Sequence, residues 1–207
     1  MQKLLSAMSH TLQPRVSMLC ISLMLMSYGT IYAHDKNVRK DLIEMGKEDQ
    51  AIRKGFTLES MHDTILVLKI MHTDSVHTVR LKKIIKKNGW PTKENVGDEA
   101  LHAAFLIVQH SPDYGFQEEI LPLLQKQAEK GDLPKQDVAL LLDRVLVHQN
   151  KPQRFGTQFK EENGQMSPYP IEDEMHVDER RQEIGLLPMA TYIQILNSVY
   201  KQKQPVK

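Results

Sequence analysis

Apolar residues recur at helical spacing along most of the chain. Val38, Leu42, Met45 and Ile52 fall three, four or seven residues apart with charged residues between them, which predicts an amphipathic helix over 38–55. The same pattern predicts further helices over 58–72, 73–88, 97–110, 116–130, 134–148, 177–184 and 189–200.

Capping and helix-breaking residues set the predicted helix ends. Thr73-Asp74 is predicted to be the N-cap of the helix that ends at Asn88-Gly89, and Ser111-Pro112 to end the next one. Gly131 is expected to close the helix that contains Pro122. That proline is tolerated only if the first turn lies there or if the helix bends.

The segment 149–174 has a different composition, with three prolines, two glycines and few aliphatic residues. It is predicted to be a long ordered loop with room for a short strand pair, and disorder is the competing interpretation. The chain shows neither an internal repeat nor a series of alternating strands. The predicted fold is therefore all-α, a single-domain helical array over 34–200 with a frayed tail at 201–207.

The first 33 residues read as a secretory leader. Basic Lys3 and Arg15 precede an apolar run from Val16 to Met26, and the sequence Ile31-Tyr32-Ala33 follows. Because this run is shorter than the ~20 residues that span a bilayer, cleavage after Ala33 is favoured over retention as a membrane tether. The chain is thus predicted to be periplasmic or secreted, with no stable membrane anchor once the leader is removed.

Leader removal changes the charge and the redox chemistry of the chain. The full chain has 27 basic and 26 acidic residues, and loss of Lys3 and Arg15 leaves 25 against 26, a net charge of −1. The only cysteine, Cys20, leaves with the leader, which excludes disulfides and thiolate sites in the mature protein. A near-neutral body gives little support to nucleic-acid binding, and the lysines of 82–87 are predicted to be a solvated helix end.

Two charges interrupt an otherwise apolar helical segment. Val138–Val147 is apolar around its circumference except at Asp143 and Arg144. Adjacent helical residues point about 100° apart, so these two side chains cannot pair with each other. Because an unpaired buried charge is costly, each is expected to meet a partner from another segment.

His110 poses a similar problem at the end of the predicted helix 97–110, which has almost no polar face. A histidine there is either an acid–base group or a core residue with one carbonyl partner.

Two loop segments offer partners for these groups. The segment 154–158 places Gly156 beside hydrogen-bonding side chains, which lets backbone approach a ligand, and Gln158 is predicted to donate to it. The segment 170–173 precedes the helix that carries Arg181, so Asp173 and Arg181 are predicted to bind substrate. Capping and a surface ion-pair network are the alternative for this second segment.

A metal site can be constructed from Asp173, His176 and Asp178, with His110 added. The spacing matches no helical metal motif, so neither a metal nor a cofactor is predicted. No Gly-x-Ser-x-Gly nucleophile elbow is present.

The polar segments together resemble an uncharacterised family of bacterial proteins that is defined as a domain of unknown function. The resemblance covers nearly all of the mature chain and lies in Asp49-Gln50 with Arg53, Gly89-Trp90-Pro91, Val96-Gly97, Gln109-His110, Asp143-Arg144, Gly156-Thr157-Gln158, Pro170-Ile171-Glu172-Asp173, Val177-Asp178 with Arg180-Arg181, and Gly185-Leu186 with Pro188. It implies a common fold and a common site, and it implies no reaction. His77 stands where that resemblance would place an asparagine, so any site that this helix lines differs in chemistry here.

The first functional hypothesis is a metal-independent hydrolase or transferase of the cell envelope or secreted space. In it His110 is the general acid or base and Asp143 orients it, while Arg144 and Arg181 hold an anionic substrate group and Gln158 donates a hydrogen bond. The alternative is a non-enzymatic module that binds a small ligand or a peptide in the same pocket. A third hypothesis treats the charges as structural and places function on an outer surface that contacts another protein.

Overall fold

Helices form most of the molecule. The structure is a computed structural model that describes residues 37–54, 60, 63–162 and 164–202. It is mainly helical with one short antiparallel strand pair, which confirms the predicted fold class. The predicted leader at 1–33 and residues 203–207 of the predicted tail lie outside the described residues.

The first two helices are α1, residues 37–53, and α2, Thr64–Asn88. Asp63 caps α2, because its Oδ1 accepts hydrogen bonds from the amides of Ile65 and Leu66. The predicted helix boundary at Thr73-Asp74 is wrong, since α2 runs through it without a break. The Asp74 carboxylate does not cap a helix there, because it accepts a hydrogen bond from Arg53 of α1.

Helix α3, Lys93–His110, and helix α4, Tyr114–Lys130, follow. α3 is kinked at Gly97, whose φ of 79° is outside the helical range, close to the predicted start of this helix. α4 begins at the cap Asp113 and ends at left-handed Gly131 as predicted. Pro122 lies inside α4, so the interpretation that it occupies the first turn is wrong.

Helix α5, Lys135–His148, precedes the loop that the sequence predicts. The strands β1, Phe159–Glu162, and β2, Gln165–Pro168, form an antiparallel hairpin within that loop. A 3-10 turn at Glu174–His176 then leads to α6, Val177–Glu183, and α7, Met189–Gln202, which packs against β2.

The hydrophobic core is built around α3. Its buried apolar residues meet Leu42 and Met45 of α1, Leu81 of α2, and apolar residues of α4 and α5. Gly46 of α1 lies so close to α3 that an added Cβ would be 2.6 Å from the Cβ of Ala103. This close approach brings the end of α1 beside the end of α3, where His110 lies. None of the described helices combines the length and the apolar character that crossing a membrane requires.

Candidate acid–base site

His110, the last residue of α3, pairs with a buried carboxylate of α1. Its Nδ1 lies 2.8 Å from Oδ1 of Asp49, whose side chain is 1% exposed. The His110 side chain is 24% exposed, so its ring reaches the surface while its Nδ1 edge is turned inward. The predicted pairing of His110 with Asp143 is thereby corrected, because the carboxylate that meets this histidine belongs to Asp49.

Arg53 links the same carboxylate to α2. Its Nη1 donates to Oδ1 of Asp49 at 2.7 Å, and its Nη2 donates to Oδ1 of Asp74 at 2.6 Å. The amide of Gln50 donates to the other oxygen of Asp49 at 2.8 Å. The resulting chain from His110 through Asp49 and Arg53 to Asp74 joins α1, α2 and α3.

The contacts of Asp49 keep it ionised. Burial is the largest single influence and by itself would raise the pKa of Asp49. The hydrogen bond and positive charge of His110, the charge of Arg53 and the hydrogen bond from Gln50 outweigh burial, so the pKa is lowered from its ordinary value. Asp49 is therefore a carboxylate near neutral pH and favours a positive charge on its neighbours.

The inward face of α2 places more polar groups beside this series of hydrogen-bonded side chains. His77 is buried and places Nε2 2.8 Å from Oε2 of Glu48. Thr78 donates from Oγ1 to the backbone carbonyl of Asp74 and contacts Oγ of Ser111 at 2.9 Å. α2 thus lines one side of the site.

Arg144 approaches the same end of α3 from α5. Its Nη1 donates to the backbone carbonyl of Gln109, the residue before His110. Burial lowers the pKa of Arg144, with Tyr114 acting in the opposite sense. Within the described part of the chain, no carboxylate lies within ion-pair distance of this guanidinium. Burial, followed by the charge of Arg144, also lowers the pKa of nearby His148.

Asp143 points away from this site and holds the loop after α5. Its Oδ1 accepts from the amides of Arg154 and Phe155 at 2.7 and 3.0 Å. Its Oδ2 accepts from the amide and the hydroxyl of Thr157 at 3.0 and 2.9 Å. These donors use the acceptor positions of a fully buried carboxylate, which makes Asp143 an anchor for the loop.

Gln158 and Gln153 fasten the same loop. Gln158 donates from its side-chain amide to the backbone carbonyl of Leu140 on α5. Buried Gln153 donates to the carbonyls of Gln158 and Tyr169 and accepts from the amide of Gln158. The predicted ligand contact of Gln158 is thus occupied by a contact within the protein.

Arg181 is 1% exposed and lies beneath the loop. Its Nη1 donates to the carbonyl of Phe155 and its Nε donates to the carbonyl of Leu187, both at 2.5 Å. Above it, Gly156 has a φ of +66°, and an added Cβ would lie 2.6 Å from Sδ of Met189. The predicted role of Arg181 in holding an anionic substrate is corrected, because its guanidinium faces buried carbonyl oxygens.

Asp173 lies on the surface, where its side chain is 57% exposed. Both of its carboxylate oxygens are 2.9 Å from Nδ1 of His176, while Asp178 accepts from the amide of Met189 and so caps α7. The four residues from which a metal site could be constructed therefore do not share one site. Asp173 and His176 contact each other, whereas Asp178 contacts Met189 and His110 contacts Asp49. No grouping of three or more histidine, cysteine, aspartate or glutamate side chains that could hold a metal ion occurs in the described ranges.

The predicted site residues thus lie in three places. His110 and Arg144 are both at the end of α3, Asp143, Gln158 and Arg181 secure the loop, and Asp173 lies on the surface. The sequence analysis assigned no site role to Asp49, Arg53 or Asp74, although the first two belong to the segments that carry the family resemblance. The spacing of Asp49 and Arg53, four residues apart in a predicted helix, was the signal that could have found two of them.

These features define a mainly helical protein with a histidine–carboxylate pair at the junction of three helices. The chain belongs to the family described as "Family of unknown function (DUF6624)", whose model matches residues 36–205. This confirms the resemblance to a bacterial domain of unknown function. Neither the curated proteins nor the solved structures contain a significant match to the chain.

Proposed function

We propose that the chain is a hydrolase or transferase in which His110 transfers a proton and Asp49 orients it. The observation that carries this proposal is the 2.8 Å contact between Nδ1 of a partly exposed histidine and a carboxylate that is almost completely buried. A surface ion pair does not have this asymmetry, since one partner here is fixed in the protein and the other reaches solvent.

The geometry supports a specific division of roles. In the proposed tautomer, the Nδ1–H group of His110 donates a hydrogen bond to Asp49. The lone pair of the neutral ring is then on Nε2. Nε2 can then take a proton from a water molecule or a substrate hydroxyl and return it to the leaving group. Asp49, whose pKa is lowered, stabilises the imidazolium that forms between these two steps.

Arg144 favours a substrate that carries an anionic group. Its guanidinium is largely desolvated and its hydrogen bond goes to the neutral carbonyl of Gln109. A carboxylate or phosphate oxygen that approached His110 would be close to this charge and would compensate its burial. We also propose that the protein acts outside the cytoplasm, on the basis of the leader pattern in residues 1–33.

The test compares His110→Gln and Asp49→Asn with His102→Gln, which changes an exposed histidine of the same helix. The assay uses p-nitrophenyl phosphate, bis-p-nitrophenyl phosphate and p-nitrophenyl succinate. We expect kcat to fall about 100-fold or more in the first two variants, the usual contribution of a general base, and to be unchanged in the control. Mass spectrometry of exported protein should show a chain that begins at His34.

Two results would count against this function. Long-range nitrogen NMR that finds the His110 proton on Nε2 rather than Nδ1 would remove the proposed base. Full turnover by His110→Gln would do the same. If the wild-type protein is stabilised against heat by these anionic probes but releases no nitrophenol, the binding-module alternative is supported instead.

A further inference from the structure

Helix α2 carries apolar residues on two sides. Its inward side contributes Leu81, Ile84 and Ile85 to the core and also carries the buried polar residues His77 and Thr78. Its outward side carries four aliphatic residues that the fold leaves in water, and we call these the α2 outer face: Ile65, Leu68, Val76 and Val79, exposed by 69%, 59%, 41% and 52%. At 100° per residue all four lie within about 80° of one another, so they form one stripe.

This stripe extends about 21 Å along the helix, since Ile65 and Val79 are fourteen residues apart. Exposed His72 lies within it and separates Ile65 and Leu68 from Val76 and Val79. Ile52 of α1 lies beside Ile65 and Leu68 and enlarges the first of these two apolar patches. Exposed aliphatic side chains aligned on one side of a helix favour contact with another apolar phase.

The charged side chains within α2 are mostly cationic. They are Lys69, Arg80, Lys82, Lys83, Lys86 and Lys87, of which Lys82 is paired with Asp113. The only carboxylate within the helix, Asp74, faces inward and is paired with Arg53. The complete chain has a formal net charge of only +1, so this helix holds a local excess of positive charge.

We propose that the α2 outer face docks on an anionic lipid bilayer, with the helix axis parallel to the membrane surface. Aliphatic side chains enter the boundary between headgroups and acyl chains, and the flanking lysines contact acidic headgroups. A second copy of the chain fits this face poorly, because it would bring an equally cationic helix against it. A nucleic acid would pair with the lysines but would leave Ile65 and Leu68 in water.

The test places a reporter on the α2 outer face of the full chain. Cys20 is the only cysteine, so Cys20→Ser with Val76→Cys gives one site for an environment-sensitive NBD label. Met175→Cys in the same background is the matched control, because Met175 is 89% exposed and lies outside α2. The label reports its own surroundings, so attachment of the chain through residues 1–33 does not by itself produce the signal.

With vesicles of equal parts phosphatidylglycerol and phosphatidylcholine, we expect the Val76→Cys label to shift to shorter wavelength and to be quenched by lipid-borne quenchers. Pure phosphatidylcholine should give little shift, and the Met175→Cys label should give none with either lipid. Lys83→Gln with Lys86→Gln should raise the lipid concentration at half-maximal shift about 30-fold, from the usual contribution of two lysines near a charged membrane. Lys126→Gln with Lys130→Gln on α4 should leave it unchanged.

Results of three kinds would each overturn the proposal. The first is an unshifted Val76→Cys label on anionic vesicles, or an equal shift of the Met175→Cys label. The second is a shift that needs no lipid and grows with protein concentration, which would assign the face to a second copy. The third is a half-maximal lipid concentration that does not respond to loss of the two α2 lysines. His110 takes no part in any of these measurements, so failure here leaves the proposed reaction intact.

Discussion

Two buried aspartates show how partners decide the role of a side chain. Asp143 and Asp49 are both inaccessible to solvent, and each accepts at least three hydrogen bonds. The donors to Asp143 are mostly backbone amides, which do not change their protonation state. The donors to Asp49 include His110, which can gain and lose a proton. Asp143 therefore holds structure, and Asp49 controls a titratable group.

Replacing Asp143 with asparagine tests this distinction. Asparagine has only one acceptor oxygen, so its NH2 group must face either the amides of Arg154 and Phe155 or the amide of Thr157, which leaves buried donors unpaired. We expect Asp143→Asn to lower the free energy of unfolding by about 3 kcal/mol, measured by urea denaturation.

Asp173→Asn is the matched control for this substitution. Asp173 is exposed and has a φ of 43°, a conformation that asparagine adopts as readily as aspartate. The control should change the free energy of unfolding by less than about 0.5 kcal/mol. An Asp143→Asn protein as stable as this control, but with altered binding of an anionic probe, would restore Asp143 as a site residue.

The packing of α1 against α3 is what brings Asp49 to His110. Gly46 lies three residues before Asp49, and the lack of a Cβ at Gly46 permits contact with Ala103. In an isolated helix, Gly→Ala would stabilise by about 1 kcal/mol. Here the new methyl group would lie 2.6 Å from another one, and relief of that overlap requires the helices to separate.

We expect Gly46→Ala to lower the free energy of unfolding by about 1–2 kcal/mol, against the direction of helix propensity. The nitrogen chemical shifts of His110 should also change, since separation of the helices lengthens its contact with Asp49. Gly115→Ala on α4 is the control, because its Cβ would meet only Oδ1 of Asp113 at 3.5 Å. If Gly46→Ala stabilised the protein as much as Gly115→Ala, the close approach of α1 and α3 would be contradicted.

The ends of the elements were predictable where local residues determine them. Gly89 and Gly131 stop their helices at positive φ, as the sequence indicates. The predicted break at Thr73-Asp74 failed because the capping oxygen of Asp74 is used by Arg53. A cap competes with tertiary partners, and the sequence does not show those partners.

Across the whole molecule, the site was less predictable than the fold because its contacts join distant segments. His110 and Asp49 are 61 residues apart, and Arg53 and Asp74 are 21 apart. The rule that buried charges need partners correctly required contacts for Asp143 and Arg144, but it could not choose those partners. The same rule could not show that the two side chains have different partners. Asp143 binds the loop after α5, whereas Arg144 binds the end of α3.

The response of the molecule to acid follows from its carboxylates. The pKa of Asp49 is lower in the folded protein than its ordinary value of 3.8. Its stabilising contribution is therefore complete above that value and is lost as the pH falls through the folded pKa. Asp137 is the opposite case, since burial raises its pKa against the weaker effect of His102, so its contribution grows as the pH falls.

Urea denaturation from about pH 7 to about pH 2 should separate these two effects. The wild-type protein should be more stable than Asp49→Asn near neutral pH, and this difference should narrow as the pH falls through the folded pKa of Asp49. Relative to Asp137→Asn, the wild type should gain stability over the same descent, because protonation removes an unfavourable buried charge. Every other carboxylate is common to the compared proteins, so a difference from Asp49→Asn that stays constant with pH would mean that Asp49 is not held ionised by His110 and Arg53.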